Sequence, residues 1–237
     1  MAIRRGKRRA KKGPRVGLAL GSGGARGAAH TGVLKVLGHE GIPVHCIAGS
    51  SIGAVVGGAH AAGIPPARVE EEWLSADLIK VVRAFFPTLT RSGISSGTEK
   101  RRILSRVLGE VQIESLPVAF AAVACDMDSG EAVAITRGPL VDAVQASASI
   151  PGLFRPTRLG DRTLVDGGLV DPLPVGACRD LGPDIVLAVD IHPVPSADEE
   201  TRAETLWDRL GERLREVFRQ HHWLPGTLPE LLDQALG

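Results

Sequence analysis

A strand, a tight turn and a helix follow one another near the start of this chain, and no other stretch constrains its fold as much. Residues 43–48 form a short apolar run typical of a buried strand. Residues 54–62 are small and apolar and predict a helix, which Gly63 can end. Between them, Gly49-x-Ser51-x-Gly53 has the pattern of a nucleophile elbow, in which a serine stands on a strained turn. A plain glycine-rich turn has the same pattern, so the pentapeptide alone is weak evidence.

A second strand and helix precede this stretch. Residues 16–20 are apolar throughout, which predicts a strand buried on both faces, and residues 28–40 have the apolar spacing of a helix. The order strand, glycine-rich loop, helix and strand is a βαβ unit, in which the strands are parallel. The loops that follow parallel strands lie at one edge of the sheet. We therefore expect the glycine loop, residues 21–27, to be a neighbour of the elbow.

The rest of the chain predicts further α/β structure. Asp126 and Asp128 are interpreted as turn residues and not as calcium ligands, because too few oxygens follow at loop spacing. Asp166 stands at the end of a predicted strand, before two glycines. Helices are predicted from residue 69 and over residues 78–86, 99–108, 140–149 and 206–218. Strands are predicted over residues 118–125, 131–135 and 185–190, and the last of these is expected to be buried. Hairpin turns are predicted at residues 126–130 and 159–162.

Charge is distributed unevenly along the chain. Eight of the 28 Lys and Arg residues lie within residues 1–15, which contain no acid, so the rest of the chain is acidic although the net charge is +1. This predicts a disordered basic tail over residues 1–15, which we interpret as a solvated arm able to touch anionic lipid. The three cysteines have no CxxC spacing and predict a reduced, cytoplasmic protein. No apolar run approaches the length of a membrane span, and the one after the tail is too short for a signal peptide.

The glycine loop has two interpretations. A dinucleotide-binding loop requires G-x-G-x-x-G, but Arg26 stands where the third glycine belongs and Gly27 comes one position late. An oxyanion hole requires exposed backbone N–H groups and a positive helix end, which consecutive glycines before a helix provide. Arg26 adds positive charge at the same place. We therefore favour the oxyanion hole, and a cofactor titration would test the nucleotide alternative.

Four blocks of the sequence resemble, in order and spacing, those of the patatin-like phospholipases. The blocks are residues 21–27, the Gly49-x-Ser51-x-Gly53 elbow, Ala148-Ser149-Ile150-Pro151-x-x-Phe154-x-Pro156, and Asp166-Gly167-Gly168. The resemblance covers residues 15–192. It implies a three-layer α/β/α sandwich with a mostly parallel central sheet, so residues 16–237 are interpreted as a patatin-like acyl hydrolase domain that follows the tail.

The resemblance also implies which residues carry the chemistry. Ser51 is the nucleophile and Asp166 is its base, in a Ser–Asp dyad without histidine. The oxyanion hole is lined by Gly23, Gly24, Ala25 and Arg26. The implied reaction is acyl transfer from a lipid or phospholipid ester to the serine, followed by hydrolysis, without cofactor or metal. We expect burial to raise the pKa of the aspartate, contact with membranes to be peripheral, and nucleic acid not to be a partner.

Two alternatives remain open. The first alternative is a catalytic triad with a histidine, because the chain order Ser51, Asp166, His192 is that of a hydrolase triad. A catalytically inactive lipid-binding or regulatory protein on the same fold is the second. Labelling by a fluorophosphonate distinguishes that alternative from an enzyme, because a pure binding protein forms no adduct at Ser51. Ser50 is not at the apex of the elbow, and we expect it to be dispensable.

Overall fold

Seven strands form one mixed sheet in the computed structural model, which describes residues 13–74, 97–151 and 154–192. The strands are β1 Val16–Leu20, β2 Val44–Ser50, β3 Ala119–Asp126, β4 Ala132–Ile135, β5 Thr157–Leu159, β6 Arg162–Asp166 and β7 Ile185–Val189. The helices of the described ranges are α1 Ala28–His39, α2 Ile52–Ala61, α3 Pro66–Leu74, α4 Gly97–Leu108, α5 Leu140–Ser147 and α6 Val175–Asp180. None of these helices is long and apolar enough to cross a lipid bilayer.

The strand order is β5-β6-β3-β2-β1-β7, with β4 also paired to β3. Strands β7, β1, β2 and β3 are parallel to one another. Strands β4 and β6 run antiparallel to β3, and β5 runs antiparallel to β6. The predicted βαβ unit is thus confirmed as β1, α1 and β2. The two predicted hairpins are confirmed as β3–β4 and β5–β6.

Strands β2 and β6 share one edge of β3. Val123 on β3 is opposite Ser50 on one side and opposite Ala134 of β4 on the other. The next residue of β3, Ala124, is opposite Asp166 and again opposite β4. Strand β4 pairs with one edge of β3 at both positions. Strand β6 must therefore pair with the opposite edge of β3, which is the edge that pairs with β2 up to Val123. The end of β6 therefore lies directly beyond the end of β2.

Helices cover both faces of the sheet, as the three-layer prediction requires. Side chains alternate between the faces of a strand. Leu18, Leu20, Ile47 and Phe120 join a large core with residues of α1, α2, α4 and α5. The residues between these face the other side of the sheet and form a second, smaller cluster, made of Ala19, Cys46, Ala48 and Ala121. Helix α6 contributes Cys178 to this cluster. The small side chains of this cluster let α6 pack closely against the sheet.

Some sequence predictions need correction. The strand at residues 185–190 is not buried as predicted, because Ile185 and Leu187 are 45% and 38% exposed. Strand β7 lies at the end of the strand order and pairs with β1 alone among the described residues, and an apolar sequence does not distinguish an edge strand from a central one. The helix predicted over residues 140–149 ends at Ser147. The predictions for residues 1–12, 78–86 and 206–218 lie outside the described residues.

Candidate active site

Ser51 stands on a strained turn between β2 and α2. Its backbone has φ 52° and ψ −118°, and it is the only non-glycine residue with positive φ in the described part of the chain. Such a conformation is costly for a residue with a side chain and persists where the surrounding structure enforces it. The flanking glycines make the turn possible, because a Cβ on Gly49 would lie 2.5 Å from backbone atoms of Gly53 and Ala54. The predicted elbow geometry is therefore present.

The elbow is pressed against the end of β1 through Gly53. A Cβ on this glycine would lie 2.1 Å from the carbonyl oxygen of Leu20, and backbone atoms cannot move aside cheaply. We expect Gly53→Ala to lower the free energy of unfolding by at least about 3 kcal/mol, measured by urea denaturation. Gly32→Ala in α1 is the matched control, because nothing lies within 4 Å of its added Cβ. That variant should be neutral or gain about 0.5–1 kcal/mol of helix stability, and equal effects of the two variants would refute the close packing.

Ser51 and Asp166 meet at the point where β2 and β6 share the edge of β3. The hydroxyl of Ser51 donates a hydrogen bond to Oδ2 of Asp166 over 2.6 Å, although the residues are 115 positions apart. Both side chains are nearly buried, with 8% and 5% of their surface exposed. The other carboxylate oxygen accepts a hydrogen bond of 2.8 Å from the N–H of Gly168. A Cβ on Gly167 would lie 2.1 Å from the carbonyl oxygen of Val123, which explains the glycine after the aspartate.

Burial raises the pKa of Asp166 from 3.8 to about 6. The loss of hydration outweighs three influences that stabilise the charged form, namely the hydrogen bonds from Ser51 and Gly168 and the positive charge of Lys100. At neutral pH the group is still mostly a carboxylate. It is nevertheless a stronger base than an exposed aspartate, which is the property expected from the sequence for a group that takes a proton from serine.

The glycine loop lies beside the elbow, as predicted. A Cβ on Gly27 would lie 2.1 Å from the side chain of Ile52, the first residue of α2. Gly23 and Gly24 have φ of 150° and 58°, conformations that favour glycine. The N–H of Arg26 donates to the carbonyl oxygen of Gly23 over 3.2 Å within a short 3₁₀ turn, and the side chain of Arg26 is exposed.

Comparison with known proteins identifies the family. The model of the patatin-like phospholipases matches residues 18–179, more than half of the chain. The chain belongs to the patatin-like phospholipase family. An uncharacterized NTE family protein of Mycobacterium tuberculosis is 40% identical over 205 residues, which cover 84% of this chain and 56% of that relative. A lysophospholipase of Emericella nidulans, nte1, is 36% identical over 186 residues, covering 77% of this chain and 12% of that relative.

A solved structure supports the same fold. VipD from Legionella pneumophila superimposes with a TM-score of 0.58 at 15% identity, over 85% of this chain and 55% of VipD. The identity is low, so the likeness concerns the three-layer fold alone. This patatin-like chain covers 56% of the length of that mycobacterial relative and 31% of the length of another.

The end of α5 and the residues just after it bind the backbone of both Ser51 and Asp166, a feature that sequence analysis missed. Ser147 accepts a hydrogen bond from the backbone N–H of Ser51 over 2.9 Å and donates to the carbonyl oxygen of Val123. The backbone N–H of Asp166 donates to the carbonyl oxygen of Ser149 over 3.0 Å. Ser149 belongs to the block from Ala148 to Pro156 that carried the family resemblance, and Ser147 directly precedes it, but the sequence does not reveal that these serines bind Asp166 and Ser51.

His192 has other partners than the dyad. Its Nδ1 lies 2.7 Å from Oδ1 of Asp190, and its Nε2 lies 3.4 Å from the hydroxyl of Ser22 in the glycine loop. The hydrogen bond of Ser51 is made directly to Asp166. This arrangement does not favour the Ser51–Asp166–His192 triad.

The carboxylates interpreted as turn residues do form a turn, since Asp128 donates its backbone N–H to Asp126 over 3.0 Å.

Proposed function

We propose that this chain is a serine acyl hydrolase that cleaves the ester bonds of lipids, including phospholipids, with Ser51 as nucleophile and Asp166 as base. The observation that carries the proposal is the 2.6 Å hydrogen bond between a strained serine and a buried aspartate. A serine hydroxyl is a weak nucleophile until a neighbouring base takes its proton. A carboxylate whose pKa is raised to about 6 can do so and can return the proton at neutral pH.

The reaction has two halves. In the first, Asp166 takes the hydroxyl proton while Oγ of Ser51 attacks the ester carbonyl carbon, and the tetrahedral intermediate then expels the alcohol, which receives the proton from Asp166. In the second, Asp166 takes a proton from water, the hydroxide attacks the acyl-serine, and the acid leaves as Ser51 recovers its proton. One acidic group thus serves both halves, so no metal or cofactor is needed to balance the steps.

The negative charge that develops on the carbonyl oxygen needs donors nearby. The backbone N–H groups of Gly23, Gly24 and Ala25, together with the side chain of Arg26, are the candidates for this oxyanion hole. They lie in a loop that packs against the start of α2, next to Ser51. Preorganised donors of this kind stabilise the intermediate more than flexible ones, because they need no reorganisation during the reaction.

Lipid esters are the substrate class because of the family. The family is named for phospholipases, and a relative from Emericella nidulans is named a lysophospholipase. We extend this class to the present chain as part of the proposal. The basic residues 1–15 would favour an anionic membrane surface, so the enzyme would act in the cytoplasm and contact membranes peripherally.

Fluorophosphonate labelling tests the proposal directly. The full chain is incubated with a fluorophosphonate, digested and analysed by mass spectrometry. We expect one adduct, at Ser51, because the activated hydroxyl attacks the phosphorus as it would attack an ester. Heat-denatured protein is the control and should not be labelled. A folded chain without an adduct at Ser51 would instead indicate the inactive lipid-binding or regulatory protein.

A further inference from the structure

A lysine is buried directly behind the dyad. Lys100 lies in the first turn of α4, and only 2% of its surface is exposed. Its Nζ donates hydrogen bonds to the carbonyl oxygens of Ala148 and Gln145, over 2.7 and 3.0 Å, and to the hydroxyl of Ser149 over 3.2 Å. The ring of Phe154 lies 4.4 Å from the same atom. Lysine is rarely buried so completely, because removing an ammonium group from water is costly.

These three acceptors lie at the end of α5 and in the two residues that follow it. The last carbonyl groups of a helix carry partial negative charge and lack partners within the helix. The ammonium group satisfies two of these carbonyl groups. The same turn binds the backbone N–H of Ser51 through Ser147 and that of Asp166 through the carbonyl oxygen of Ser149. Lys100 therefore fixes the segment on which both members of the dyad depend.

Lys100 also acts on Asp166 through its charge. Its positive charge lowers the pKa of Asp166, against the larger opposing effect of burial. In turn, burial lowers the pKa of Lys100 from 10.5 to about 7, and the negative charge of Asp166 opposes this shift. The attachment of α4 to α5 does not depend on this charge alone, because the neighbouring Arg101 bridges to Asp142 over 3.1 Å at the surface.

We propose that Lys100 is a positioning residue of the reaction assigned above, on which this inference rests. Its ammonium group holds the last turn of α5, and with it Ser51 and Asp166, in the reactive arrangement. While Lys100 is protonated, its charge favours the ionised form of Asp166, which accepts the serine proton.

Other ionisable groups around Asp166 do not supply this charge. Ionisable groups on the elements around it include Cys125 and Asp126 on β3, Arg158 on β5, Arg162 on β6, His60 on α2, Asp142 on α5, Asp171 after the two glycines, and Arg26 in the glycine loop. Burial raises the pKa of Cys125 to about 11 and that of Asp171, and it lowers the pKa of His60, so burial favours the neutral form of all three. Asp126 and Asp142 are paired with arginines. The positive charge that lowers the pKa of Asp166 in the described residues is that of Lys100.

Two substitutions separate charge from anchoring. Lys100→Met removes both the charge and the hydrogen bonds, whereas Lys100→Gln removes the charge and keeps an N–H donor. Arg101→Met is the matched control, because it removes a cation from the same helix but from a surface ion pair. The pH dependence of ester hydrolysis is measured for all three and for the wild type between pH 5 and 9, with thermal unfolding to verify the fold.

We expect the acid limb of the pH profile to lie near pH 6 in the wild type and in Arg101→Met. Without the neighbouring cation the pKa of Asp166 rises, so the limb moves up by about one pH unit in Lys100→Met and Lys100→Gln, and kcat at pH 6 falls about fivefold. KM should change little, because Lys100 does not touch the substrate. If Lys100→Met does not fold, the profile of Lys100→Gln decides.

An acid limb that does not move in the folded variants would overturn the role of Lys100 and leave the proposed function intact. A wild-type chain that neither hydrolyses esters nor accepts a fluorophosphonate at Ser51 would overturn the proposed function itself. The two failures are therefore distinguishable.

Discussion

Replacing Ser51 with Ala is expected to abolish the hydrolysis of chromogenic esters and phospholipids, with kcat falling by at least about 10⁴-fold. The substitution removes the oxygen that attacks the ester in the proposed mechanism, so no acyl-enzyme can form. The fold should survive, because alanine is no bulkier than serine and the backbone N–H of residue 51 keeps its hydrogen bond to Ser147. Initial rates on a panel of esters, with circular dichroism of the same samples, measure both effects.

The adjacent serine provides the control for this substitution. Ser50 ends β2, is completely buried, and its hydroxyl has no hydrogen-bond partner among the described residues. Ser50→Ala therefore removes an unsatisfied polar group, and activity close to that of the wild type is expected, as is unchanged or slightly higher stability. Equal losses in the two variants, or substantial turnover by Ser51→Ala, would exclude Ser51 as the nucleophile.

Replacing Asp166 with Asn is expected to lower kcat by about 10²–10⁴-fold and to stabilise the protein at the same time. An amide cannot take the proton of Ser51, so the base is lost. It fits the same space, because its oxygen can accept from the N–H of Gly168 and its amino group can donate to the oxygen of Ser51. Retention of full esterase activity with the fold intact would rule out the dyad.

The stabilisation by Asp166→Asn depends on pH. The pKa of Asp166 is about 6 in the folded protein and 3.8 for the ordinary side chain, so the unfolded chain loses its proton first as the pH rises. Folding therefore becomes less favourable between about pH 4 and pH 6, by up to about 3 kcal/mol. The amide side chain of the variant carries no charge and escapes this cost. Urea denaturation should show the variant to be more stable than the wild type at pH 8, and nearly equal in stability to it near pH 4.

Local patterns were sufficient to predict the parallel half of the fold. The apolar run of β1, the glycine loop and the elbow each depend on neighbouring residues, so their structure follows from nearby sequence. The meeting of Ser51 and Asp166 was anticipated only through the family resemblance. Their contact requires β6 to follow β2 on the edge of β3, and the register of strands so distant in sequence is set by tertiary packing.

The environment of Lys100 could not be predicted in the same way. Residues 99–108 indicated a helix with several cations, a pattern typical of an exposed face. Only the approach of this helix to the end of α5 buries one of them, and that approach involves residues about 45 positions away. The exposed side chains of Ile185 and Leu187 are a similar case, since hydrophobicity does not reveal which strand ends a sheet.

Pairing along one edge of β3 sets the distance between Ser51 and Asp166. Ser50 and Asp166 are opposite consecutive residues of that strand, Val123 and Ala124, so their separation follows from the repeat of an extended backbone. Insertions in connections such as the turn after α2 or the β5–β6 turn would lengthen the chain at a modest entropic cost without changing this pairing. Such connections can therefore vary in length without altering the distance between hydroxyl and carboxylate.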